Sequence, residues 1–134
     1  MNKIERLSYL LAEVSEIKEE LDATVLDMAM EYVTYDRKKY PRSDYPSDKK
    51  HFDDWDFSSD GFVNLNWSEY WAYGGRAEGT ISFPIRFLEN PSLFEKFKNE
   101  CIAVESQRNL DEKCKENAKK EAEFERLRKE LNKP

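Results

Sequence analysis

The stretch 62-FVNLNWSEYWAYGGRAEGTISFPIRF-87 decides the fold. Side chains alternate between the two sides of a strand. Val63, Leu65, Trp67, Glu69 and Trp71 therefore share one face, and Asn64, Asn66, Ser68 and Tyr70 the other. The same alternation returns after the turn, with Ile81, Phe83, Ile85 and Phe87 opposite Thr80, Ser82, Pro84 and Arg86. Two such runs around Gly74 and Gly75, which tolerate positive φ, predict a β-hairpin. Pro84 has no N–H for a ladder, so its strand should lie at an edge. A lone hairpin is marginally stable. Its apolar face needs cover, and the sequence on either side supplies helices.

Upstream, from about Asn2 to Lys39, the apolar residues Ile4, Leu7, Leu11, Val14, Leu21, Val25, Met28, Tyr32 and Tyr35 recur in steps of three and four. That is a heptad seam. Lys18 stands where the seam calls for an apolar residue, and Leu10 and Ile17 widen the stripe. The acidic residues Glu5, Glu13, Glu16, Glu19, Glu20, Asp22, Asp27 and Glu31 mark the other face. Pro41 ends the helix, because the residue before proline avoids the α region. Residues 40–61 form a long connection whose aromatic content predicts packing.

Downstream, Asn90 and Pro91 form a helix start. Leu93, Phe94, Phe97, Cys101 and Val104 give an apolar face expected to dock on the sheet. Beyond residue 104 the apolar side chains thin out, and Asp111–Lys115, Glu116–Lys120 and Glu125–Lys129 have the spacing of helical ion pairs. The expected architecture is α+β: a central antiparallel hairpin packed against two long helices, with a charged C-terminal helical tail. Residues 1–104 would be one compact domain and 105–134 an extension. A helix of about 35 residues is over 50 Å long and outruns such a hairpin, so self-association through the helices is expected.

The chain is 37% charged and 13% aromatic, with a net charge of −6. It shows no basic stripe of the kind that phosphate binding requires, so direct binding to nucleic acid is not expected. Cys101 and Cys114 on one helix would be about 20 Å apart, too far for a disulfide, and are read as reduced thiols. The first twenty residues lack the apolar core of a signal peptide, and no run approaches the ~20 apolar residues of a membrane span. A cytoplasmic location is expected, without membrane association.

Chemistry-bearing patterns are sparse. The stretch 56-DFSSDG-61 matches the first half of a calcium loop, but Trp67 stands where the bidentate Glu belongs; a Ser/Asp/Gly turn explains the same residues. His51 and two cysteines have no zinc spacing. The glycines of 73-YGGRAEG-79 lie within a hairpin, not between a strand and a helix, and do not form a phosphate loop. No catalytic constellation stands out, and no cofactor or metal is called for. Glu69 interrupts an otherwise apolar face. It can be a carboxylate at the wet rim, the partner of Lys18, Arg76 or Arg86, a catalytic acid, for which no companion stands at a suitable spacing, or a handle for another protein.

The residues 67-WSEYWAYGGRAEGTISFPIRFL-88 resemble a hairpin of small accessory proteins of tailed bacteriophages: a Trp/Tyr-rich strand, a Tyr-Gly-Gly turn and a return strand ending near proline. The resemblance covers about a quarter of the chain and carries no binding residues with it. It implies an early phage protein in a bacterial host, of the kind that blocks host machinery or defence systems, anti-CRISPR proteins among them. The expectation is a non-catalytic inhibitor of a host protein, not an enzyme. Its contacts would come from Glu69, Tyr70, Tyr73, Arg76 and Trp55, and from Glu16, Glu20 and Asp27 on the acidic helix face, in a homodimer or higher homo-oligomer. The alternative is a homo-oligomeric protein that sequesters a small ligand such as a nucleotide signal, with Arg76, Arg86 and the tyrosines as contacts.

Overall fold

A computed structural model describes residues 2–132. Its elements in chain order are helix α1 (Lys3–Lys39), strands β1 (Phe52–Phe57), β2 (Phe62–Tyr70) and β3 (Arg76–Pro84), the one-turn helix α2 (Arg86–Glu89) and helix α3 (Pro91–Leu131). The strands form an antiparallel sheet in the order β1-β2-β3. The fold is α+β, as the alternation and the heptad seam predict, with one strand more than the hairpin.

The added strand lies in the connection. In 52-FDDWDF-57, Phe52 and Trp55 are three residues apart, so simple alternation cannot turn both inward. The register against β2 shifts between Phe52 and Asp54, where Phe52 pairs with Trp67 and Trp55 with Leu65. This bulge absorbs the extra residue. The predicted hairpin forms with Val63 opposite Phe83 and Leu65 opposite Ile81, and β3 is an edge strand ending at Pro84. Ile85 and Phe87 do not continue it. Ile85 caps α2 and Phe87 lies within it, and both stay partly buried beside the core.

Burial follows the inner face of the sheet. Val25 and Ala29 of α1 pack with Trp55, Val63, Leu65 and Phe83, and Val33 packs with Trp67 and Ile81. Trp67 lies across Gly79, its cross-strand partner, where a Cβ would come within 2.9 Å of the indole nitrogen. Close packing therefore explains that glycine.

The apolar face of α3 meets α1 and α2 instead of the strands. Phe97 stacks on Tyr32 at 5.0 Å, and Phe87 of α2 contacts the rings of Phe94 and Phe97. Phe94 and Cys101 are buried, whereas Leu93 and Val104 are exposed. The two long helices run in the same direction: Lys98 pairs with Glu31, Lys38 with Glu105, and Arg108 donates to the carbonyls of Lys38 and Lys39 at 2.8 and 3.0 Å. Arg108 thus satisfies carbonyls that a helix end leaves without partners. The boundary placed after residue 104 falls inside one continuous helix.

Candidate interaction surface

The residues singled out in the sequence separate into three groups. Trp55 leaves the candidate surface: it is buried, and its indole N–H donates to Asp22 at 2.8 Å. Glu69 leaves it too. It accepts a hydrogen bond from Ser47 Oγ, and its Oε1 lies 3.3 Å from His51 Nε2, with the carboxylate side chain only 15% exposed. The carboxylate that interrupts the apolar face therefore holds the 40–51 connection to the end of β2. Buried Pro46 and the Tyr45 hydroxyl, which donates to Asp36 at 2.8 Å, hold the same segment to the body. Lys18 does not reach Glu69. Its ammonium donates to the Trp55 carbonyl at 2.8 Å and lies over the Trp55 ring at 4.8 Å.

On α1, Glu16 and Glu20 are exposed, and Asp27 pairs with Lys49 at 3.1 Å. They form no common site with the hairpin.

Tyr70, Tyr73 and Arg76 all lie at the β2–β3 tip, where Tyr70 and Arg76 touch. The Arg76 guanidinium lies over the Tyr70 ring at 5.4 Å and pairs with Glu78. Tyr70 and Trp71 are exposed, and Tyr73 is fully exposed. Tyr73 has φ 74°, the one described non-glycine residue in the left-handed region, and Gly74 follows at φ 81°. Gly75, at φ −70°, lies instead against the Trp71 ring, which an added Cβ would meet at 2.8 Å. The tip thus displays a bulky side chain on a backbone conformation that costs such residues roughly 1–2 kcal/mol. The two aromatic rings around it are held by Arg76 and Gly75.

The outer face of the sheet continues from this tip as a polar ladder. Asp54 and Thr80 both bond Asn66, Ser82 bonds Asn64, and Ser68 donates to Asp53 at 2.8 Å. Asp53, Asp54 and Asp56 make the β1 margin acidic, which discourages a further strand from pairing there.

A groove of about 640 Å³ runs between α1 and β1. Leu11, Val14, Phe52 and Trp55 line it with Glu19, Asp22, Asp53 and Asp54; the one cation, Lys18, is engaged by Trp55. Acid of this density does not suit an anionic nucleotide. Arg76 and Arg86 begin β3 and follow its end, so they do not converge on one ligand. The 56–61 segment is a turn: the Ser58 N–H donates to the Phe62 carbonyl at 2.8 Å, and Ser58 bonds Asp60. No group of three His, Cys, Asp or Glu side chains among the described residues is placed to hold a metal.

No described helix is long and apolar enough to cross a membrane. Comparison with protein-family models, curated proteins and solved structures finds nothing that matches this chain.

Proposed function

We propose that the chain is a non-catalytic interaction protein that binds and blocks another protein through the β2–β3 tip, with the acidic outer margin of the sheet as its flank. The observation that carries this reading is the tip itself: Tyr70, Trp71 and Tyr73 are all exposed within one turn of chain, and Arg76 lies over the Tyr70 ring. Tyr, Trp and Arg dominate the centres of protein interfaces. A strained, fully exposed Tyr73 stabilises nothing within the chain, which fits a side chain kept for a partner. The resemblance to phage accessory proteins makes a bacterial host protein the target and the host cytoplasm the place of action. Self-association through the helices belongs to the same reading.

The test is capture of partners from bacterial lysate on immobilised chain, followed by mass spectrometry, beside a Tyr70→Ala/Tyr73→Ala variant. One stoichiometric protein, retained by the native chain and lost by the variant, is the expected result. Equal capture by both chains would remove the tip from the interface.

A further inference from the structure

The first fifteen residues of α1 present a surface that the fold itself does not use. Ile4, Leu7, Leu10, Leu11, Val14 and Ile17 are all exposed, from 44% at Leu10 to 78% at Ile4. They continue the stripe that the sheet covers from Leu21 to Val33. The cover stops where Lys18 clamps Trp55. Six aliphatic side chains on four turns are a contiguous patch rather than scattered exposure, and such patches mark interaction sites.

We infer that this arm pairs with the same arm of a second copy, antiparallel, with Ile4 against the second copy's Val14 and Leu7 against its Leu11. Two features of the chain select this occupant. First, the charges flanking the seam permit it. Ser8 and Ser15 border one side and Leu10 and Ile17 the other, while Glu5, Glu13 and Glu16 lie on the far face. A copy of the same acidic helix therefore approaches without like charges meeting across the seam, as heptad pairing requires. Second, the register uses every aliphatic layer and stops just before Lys18, which is already committed to Trp55. The two-fold axis passes at the level of Tyr9, and the contact is isologous and closed.

This inference rests on the self-association part of the proposed function and not on what the tip binds. Light scattering on the full chain across a dilution series should give twice 16.0 kDa. Leu7→Glu/Leu11→Glu, at positions exposed in the single chain, should return it to 16.0 kDa with unchanged helical circular dichroism. Direction is read by oxidation in a Cys114→Ser background. Leu7→Cys chains mixed with Leu11→Cys chains should cross-link, while each alone should not. In this register two copies of position 7 are offset by about 6 Å along the axis beyond the gap between helices, too far for a disulfide. A monomer at all concentrations overturns both the inference and self-association. A dimer in which either single-cysteine chain cross-links with itself, or one that survives Leu7→Glu/Leu11→Glu, overturns the inference alone.

Discussion

The two long helices lie together between Glu31 and Lys39 of α1 and between Phe97 and Arg108 of α3, then part, each leaving the body at its own end. The arms they form differ in kind. The α1 arm, residues 3–17, carries a continuous aliphatic stripe with acids behind it. The α3 arm, residues 109–131, exposes only Leu110, Phe124, Leu127 and Leu131 as large apolar side chains, amid closely mixed charge. Two of its ion pairs, Glu123–Arg126 and Glu125–Arg128, span three residues instead of the four expected for Glu125–Lys129. Such pairs are worth a few tenths of a kcal/mol, enough to favour a solvated helix and too little to build a core. Length alone therefore does not call for a partner. The α1 arm leaves apolar area in water, whereas the α3 arm leaves mostly charge there.

The sharpest way to break this contrast is to compare body with arm. Phe83 is fully buried and packs against Tyr32 at 5.9 Å. Phe83→Ala should cost about 3–5 kcal/mol in urea unfolding. Leu7→Ala, measured at a dilution where the chain is monomeric, should cost under about 0.5 kcal/mol, as for a surface position. Equal losses would mean that the arm is packed within its own chain.

Much of the body was legible in the sequence because its pattern is periodic. The period of two gave β2, β3 and the edge position of Pro84, and the heptad seam gave α1. What escaped had no period to carry it. β1 was hidden by its bulge, which puts Phe52 and Trp55 out of alternation until Asp53 is set aside. The partners of Glu69 come from Ser47 and His51, in a connection without regular structure, and no rule of spacing pairs a strand carboxylate with them. The heptad spacing shows Lys18 as the break in the seam, but its hydrogen-bond partner is a backbone carbonyl, which no sequence displays. Arg108 closes the end of α1 from a helix seventy residues away in the chain. For the tip, composition indicated Tyr70, Tyr73 and Arg76, but it could not tell them from Trp55, which is equally aromatic and buried.

The interhelix contact can be probed next, where body and arms meet. Arg108→Ala removes the donors to the carbonyls of Lys38 and Lys39. Charge-assisted hydrogen bonds of this kind contribute about 1.5–3 kcal/mol, so a loss at the lower end of that range in urea unfolding is expected, given partial exposure. An alkaline titration reads the same seam. Burial, aided by the nearby Asp36, pushes the Tyr32 phenol up to about 12, and burial with the Asp36 hydrogen bond also raises Tyr45. A folded-state pKa above the unfolded value near 10 stabilises the fold fully below pH 10 and less as pH rises from there toward 12. Melting temperature should therefore fall across that window, and phenolate absorbance should show a late phase that coincides with unfolding. Titration of all the tyrosines near pH 10, with no late phase, would place these phenols in water.

A small change in stability, of opposite sign to the others, separates structure from use at the tip. Tyr73 pays for its left-handed backbone with strain, and glycine in its place removes the strain while adding freedom to the unfolded chain. These effects oppose each other, so Tyr73→Gly should shift stability by no more than about 1 kcal/mol, in the stabilising direction. The same substitution removes the most exposed ring of the tip. If the ring serves a partner, capture from lysate should fall while melting temperature holds or rises, a separation that no core residue can produce. A drop in stability with capture intact would mean that Tyr73 supports the turn and that the interface lies elsewhere on the sheet.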